Sequence, residues 1–378
     1  MLRYLVILLV SILTVSSVYA QSSFKEADKL YALGNYTKAI EVYQSLSSQD
    51  SVYHKIAMAY RALGNYDKSI AHYKKAIHAN PENVIFQFEY AKLLRLTKKY
   101  IEAKDIYESL IESDSLNPNF HYELGLLLEK QSDTLAIQEF TKAFELDDTH
   151  QKAIFKIAKH QIRKRKFKEA RELVNKGLAS YDRNVQLISL KAQSYYFEDS
   201  YEYAKVWFKK LLDFGENSEF LHEKLSICYA QNSDYKDAIY HRKEALKFSP
   251  NDADAMFVIG GYYERLSNFE KAEEYYRRSL LLSDIPLDKE YQKLGIVLNR
   301  QKKHREALKQ FQKAKKENPE DIMTDFFILR TKDEYYADID SKIKLYEDFL
   351  EVKKDNPFRI FAEKRLKELK EEKFQQKK

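Results

Sequence analysis

Cysteine occurs once in the 378-residue chain, at Cys228, so no intramolecular disulfide can form and no cysteine pair is available to hold zinc. Stability has to come from packing, and Cys228 reads as a small buried apolar side chain. The nine histidines contain no pair at the spacing of a helical zinc motif, and His222-Glu223 lacks the second histidine such a motif requires. Also missing are a Gly-x-x-x-x-Gly-Lys phosphate loop, a Gly-x-Gly-x-x-Gly turn and a Gly-x-Ser-x-Gly elbow. The expectation is a protein that is not an enzyme, with no catalytic residue, no metal and no cofactor. Charge of one sign is also in short supply. A net +6 on a chain of this length gives no reason to expect nucleic acid as a partner.

Long hydrophobic runs are absent beyond the first twenty residues. At the start, Arg3 precedes an apolar run from Leu5 to Val15, and Val18 and Ala20 stand at the −3 and −1 positions of a small-residue exit. This pattern reads as a signal peptide over residues 1–20, cleaved after Ala20. The apolar run is shorter than the roughly 20 residues a membrane helix needs. The expected location is therefore the periplasm or the medium, with no integral membrane span after cleavage.

Glycine (8) and proline (6) are scarce, while 32% of residues are charged and 44% apolar. Few turn formers and a charge–apolar mixture point to helix. One column then sets the period. Ala39, Ser69, Ala103, Ala136, Ala170, Ala204, Ala238, Ala272 and Ala307 are spaced 30, 34, 33, 34, 34, 34, 34 and 35 residues apart. Four residues after these anchors stand Tyr43, Tyr73, Tyr107, Phe140, Val174, Phe208, Tyr276 and Phe311, with Arg242 as the exception. Twelve residues before them stand Ala27, Ala57, Ala91, Ala158, Ala192, Ser226, Gly260 and Gly295, with Gly125 eleven before its own. Small residues let two helices approach, and large residues of the partner helix fill the gap. All six prolines fall where one repeat should end and the next begin, if Ile343 marks a tenth, degenerate repeat.

These residues resemble the tetratricopeptide repeat: a small residue in the first helix, Gly34-Asn35-Tyr36 and Gly64-Asn65-Tyr66 at the turn, then the alanine, the aromatic and the proline. The segment from Val52 to Pro81 carries the pattern nearly complete, in Tyr53, Ala57, Tyr60, Gly64, Tyr66, Tyr73, Ala76 and Pro81. The resemblance implies an all-α solenoid of about nine to ten helix-turn-helix repeats forming a right-handed superhelix. It would cover residues 21–357, the last repeat, 322–357, being degenerate. Residues 358–378 would form a C-terminal capping helix and a charged tail.

In proteins of this family, ligands usually lie along the inner helices. The resemblance then places twelve side chains in a partner-binding groove: His54, Arg61, Phe88, Lys92, Arg95, Tyr122, Phe155, Lys159, Arg163, Tyr196, Phe197 and Phe257. The first half of that groove reads as basic and aromatic, which suits an acidic partner. The family's carboxylate clamp needs Lys and Asn at two inward positions, fifteen and eleven residues before the anchor. Here those positions hold His54 and Met58, Phe88 and Lys92, or Phe155 and Lys159, so the clamp is missing. The expected function is a scaffold that binds proteins or peptides, in the bacterial envelope or outside the cell. The alternative is a carbohydrate- or polymer-handling accessory of polysaccharide export or wall synthesis. Self-association through the open ends of the array is a further expectation.

Overall fold

The computed structural model describes residues 22–46, 49–129, 132–283, 287–352 and 356–376. The expected signal peptide and Pro286 lie outside them. The described residues form α-helices, one short 3-10 turn (Gln49–Ser51) and no strand. The fold is the expected all-α array of helix pairs. In chain order the helices are α1 (22–32), α2 (Tyr36–Ser45), α3 (Tyr53–Ala62), α4 (Tyr66–Ala79), α5 (Val84–Leu96), α6 (Tyr100–Ser113) and α7 (Pro118–Leu128). They continue as α8 (Asp133–Leu146), α9 (Gln151–Arg163), α10 (Phe167–Ser180), α11 (Val185–Tyr196), α12 (Tyr201–Asp213), α13 (Glu219–Gln231) and α14 (Tyr235–Leu246). Last come α15 (Ala253–Arg265), α16 (Phe269–Leu282), α17 (Asp288–Arg300), α18 (His304–Glu317), α19 (Ile322–Tyr335), α20 (Ile339–Val352) and α21 (Arg359–Gln375). Two compact units result, Met1–Leu190 and Lys191–Lys378, and the division falls inside α11.

Local chemistry sets the helix boundaries. The first helices of repeats start behind capping side chains: Asn83, Asn117, His150, Ser218, Asp252 and Asp321 each accept a hydrogen bond from a backbone N–H of the opening turn. Pro118 occupies the first helical position of α7, where its missing N–H costs nothing. Within a pair, the turn between helices needs one left-handed residue, five before the anchor. Gly34 and Gly64 fill it in the first two repeats. Further on it falls to Lys98, Arg165, Asp199, Ser233, Ser267 and Lys302, all at φ between 57° and 65°.

The two columns meet as their spacing predicts. A Cβ on Gly295 would stand 2.6 Å from Cε1 of Phe311, one on Gly260 2.7 Å from the Tyr276 ring, and one on Gly125 2.6 Å from Phe140. The small residue and the aromatic therefore occupy one volume, shared between the two helices of a repeat. The anchors themselves are buried, as are Tyr43, Tyr73, Tyr107, Phe140, Phe208, Tyr276 and Phe311. Where serine replaces alanine at this crossing, it hydrogen-bonds across it. Ser69 donates to the Ala57 carbonyl (2.7 Å), and Ser226 donates to the Ala238 carbonyl (2.8 Å) from the opposite helix. Arg242, the exception in the aromatic column, is mostly buried and pairs with Glu223 at 3.4 Å.

In the last pair, α19 and α20, Thr331 stands twelve residues before Ile343 at the small position, and the buried aromatic is Tyr346, three rather than four residues after it. The Tyr346 hydroxyl donates to Asp333 (3.0 Å), which also accepts from Arg365 of α21 (3.1 Å). Ala362 and Leu369 of α21 are buried against this pair.

Candidate binding surface on the first helices of the repeats

In the first compact unit, four of the five cations expected to make the groove basic are matched by carboxylates, three of them from a neighbouring repeat. Arg61 donates to Glu89 (2.7 Å), 28 residues on, and Arg95 donates to Glu123 (2.9 Å), again 28 residues on. Lys92 donates to Glu89 (2.8 Å). Further along, Lys156 reaches Glu129 (2.6 Å), and Arg163 reaches Asp133 (2.8 Å), which His160 also approaches at 3.1 Å. Burial alone would raise the Glu89 carboxyl pKa, but hydrogen bonds from Lys92 and Arg61 outweigh it and hold the group below its ordinary range. Of the five expected cations only Lys159 is without a carboxylate partner among the described residues; its ammonium lies 5.8 Å from the Phe155 ring. The acidic partners are the residues that inspection of single helix faces misses. Their signal is a spacing of 27 to 30 residues between opposite charges, a few residues short of the usual repeat length.

The aromatic candidates of this unit divide in two. Phe88 packs on Tyr107 (6.2 Å) and Phe120 (5.3 Å), and Tyr122 packs on Phe140 (5.6 Å) and His150 (5.1 Å), so both are largely committed to the core. His54 stacks on Phe86 at 4.5 Å, with its Nδ1 buried and unpartnered. Its pKa is lowered, first by burial and then by Lys55, which favours a neutral ring at pH 7.

In the second compact unit, Tyr196 sits edge-on to Phe197 (5.5 Å), Tyr201 (5.6 Å) and Phe208 (6.3 Å), and the Lys224 ammonium lies 5.0 Å from its ring and 5.5 Å from Phe220. Phe197 is 46% exposed and Phe220 43%. Phe257 faces Tyr276 at 5.3 Å and is partly buried against the core. The same inter-repeat spacing recurs with the signs reversed: Lys293 of α17 donates to Glu264 of α15 (3.2 Å), which also accepts from the Tyr276 hydroxyl (2.8 Å). Beyond it, a cavity of about 530 Å³ opens between α17, α18 and α19, lined among others by Arg300, Lys302, Arg330 and Phe327.

Comparison with known proteins agrees with this architecture. Tetratricopeptide-repeat models match residues 51–83 and 224–286. The TPR repeat-containing protein YpiA of Bacillus subtilis is 20% identical over 256 residues, 63% of this chain and 58% of that protein. Superkiller complex protein 3 of Homo sapiens is 23% identical over 288 residues, 68% of this chain and 18% of that one. The chain thus spans little more than half the length of the first relative and under a fifth of the second. Among solved structures, YrrB, described as a TPR protein with an unusual peptide-binding site, is 19% identical, with a TM-score of 0.46 over 50% of this chain and 96% of that one. The matched segments lie in both compact units, and the small, anchor and aromatic columns run through each; the chain is a member of the tetratricopeptide-repeat family.

Proposed function

We propose that this chain is a non-catalytic scaffold that binds partner proteins or peptides along the first helices of its repeats, in the bacterial envelope or outside the cell. One observation carries the reading. Successive first helices hold each other's side chains in place, as in Arg61–Glu89–Lys92, Arg95–Glu123 and Lys293–Glu264. A face ordered before binding loses less conformational freedom when a partner docks. The export part of the proposal rests on residues 1–20 alone. No helix among the described residues is long and apolar enough to cross a membrane.

The test is photo-crosslinking of the full chain in its native envelope, with the probe placed at Lys159, Tyr196 or Phe197. A defined set of cross-linked proteins is expected. Recovery of none from any of the three positions would overturn the reading.

A second reading, handling of carbohydrate polymers, is favoured by the exposed Phe197 and Phe220 beside Tyr196, since open aromatic faces can stack on sugar rings. Glycan-array binding that disappears in a Phe197→Ala, Phe220→Ala variant would favour it over the first. Self-association belongs to the same proposal, and light scattering across protein concentration reads it.

A further inference from the structure

We infer that the cavity between α17, α18 and α19 receives an acidic side chain of a partner peptide, with an apolar neighbour of that side chain packing beside it. The inference deepens the scaffold reading and depends on it. Four of the five expected groove cations of the first compact unit are matched by carboxylates, but those of this cavity are less so. Arg300 and Lys302 form no ion pair and no side-chain hydrogen bond among the described residues, and both are exposed. Arg330, which lines the same cavity, makes a single ion-pair contact among the described residues, at 3.6 Å with Glu334, one turn along its own helix. Glu334 is the cavity's single carboxylate and also stands 3.7 Å from His304. Three cations against one carboxylate leave an excess of positive charge. Two of the three are guanidinium groups, whose paired N–H donors match the two oxygens of a carboxylate.

The aromatic part of the lining is firmly held. Phe327 stacks on the buried Phe311 (5.3 Å, 24° between ring planes), and Phe326 stacks on Phe358 (4.2 Å, 8°). Asn299 is already engaged, donating to Thr331 (2.6 Å) and facing His304 Nδ1 through its carbonyl oxygen (3.1 Å). The cavity therefore has fixed walls, an apolar side and uncommitted positive charge. Arg300 and Lys302 stand seven and five residues before the anchor Ala307, so neither occupies a position of the carboxylate clamp. The site is built from the end of one first helix, the following turn and the next first helix.

The test uses the full chain to select from a randomised peptide library displayed on phage. Enrichment of Asp or Glu flanked by an apolar residue is expected. The enriched peptides should bind an Arg300→Glu, Arg330→Glu variant at least about tenfold more weakly, because charge-assisted pairs are lost and replaced by repulsion. Glu334→Gln should bind them about two- to threefold more tightly, because a partly exposed like charge is removed. Should the double Glu variant lose its helical circular dichroism, Arg300→Gln, Arg330→Gln replaces it, with the same direction expected. Selection of neutral or basic peptides, no selection at all, or equal binding by the arginine variants would overturn the assignment. Any of these beside positive envelope cross-linking would leave the scaffold reading standing, whereas failure of the cross-linking would remove that reading itself.

Discussion

His222 and His241 face each other across the α13–α14 contact with their Nδ1 atoms 2.9 Å apart, both rings buried. His222 Nε2 lies 3.0 Å from the Asn217 side-chain oxygen and so carries a proton. Its Nδ1 is then the acceptor, and His241 Nδ1 is the donor. Tyr229 stacks on His241 at 5.3 Å; Glu244 and Asp237 lie near enough to favour protonation, but burial outweighs them. A proton on both Nδ1 atoms would break the bond and place two charges face to face. Burial depresses the pKa of both rings, and the neighbouring His222 helps bring that of His241 to about 4. Because the folded values lie below the ordinary histidine value, the unfolded chain binds more protons between about pH 6.5 and 4. The pair's contribution is intact above about pH 6.5 and is lost as pH falls toward 4. Urea unfolding followed by the single Trp207 should show a loss of roughly 1–3 kcal/mol between pH 7 and pH 4.5. In a His222→Leu, His241→Phe variant that slope should be markedly shallower; an unchanged slope would refute the account.

Gly260 and Gly261 are adjacent in α15 and should respond oppositely to alanine. A Cβ at Gly260 would collide with the Tyr276 ring at 2.7 Å, whereas one at Gly261 meets only the Tyr276 hydroxyl at 3.7 Å. Gly260→Ala is expected to cost about 1–3 kcal/mol through overpacking. Gly261→Ala should gain about 0.5–1 kcal/mol, because alanine loses less backbone freedom in a helix. Thermal melts of the two variants check the sign of each.

The helix pairs were legible in the sequence because they rest on steric complementarity, which constrains residue identity. Only a small residue fits opposite Phe311, and Gly295 is visible sixteen residues away. The turns were only partly legible. Gly34 and Gly64 announce a left-handed residue, but Arg165 and Asp199 adopt the same φ with side chains that pay a strain to do so. The candidate surface was the least legible. Its state depends on the sign of the charge one repeat away, so Arg61 reads as a free cation until Glu89 is placed beside it.

The strained turns can be relieved. Ser233 (φ 65°) and Ser267 (φ 57°) occupy the position that Gly64 fills in the second repeat. Ser233→Gly and Ser267→Gly should each raise stability by about 0.5 kcal/mol, the removal of left-handed strain being partly offset by the extra freedom of glycine in the unfolded chain. Gly64→Ala should cost about 1 kcal/mol by the same logic in reverse. Calorimetric midpoints that move the other way would show that the turn is not the source of strain.

Arg61 and Glu89 supply a test of how repeats recognise their neighbours. The pair spans α3 and α5 at 2.7 Å, with each side chain about a quarter to a third exposed. Solvent screening limits it to about 0.5–1 kcal/mol. Arg61→Glu places two carboxylates in contact and should destabilise by somewhat more than the lost pair, with Lys92, 2.8 Å from Glu89, absorbing part of the repulsion. Restoring opposite signs in Arg61→Glu, Glu89→Arg should recover part of the loss but not all. In the exchanged pair Lys92 faces an arginine, and its own attraction to Glu89 has become a repulsion. A double-mutant cycle on urea unfolding measures the coupling, and repeating it in a Lys92→Gln background removes this third charge. Coupling that is larger in the Lys92→Gln background would identify the triad as the unit of charge recognition between these repeats. Equal coupling in both backgrounds would mean that Arg61 and Glu89 act alone, with Lys92 a bystander on its own helix.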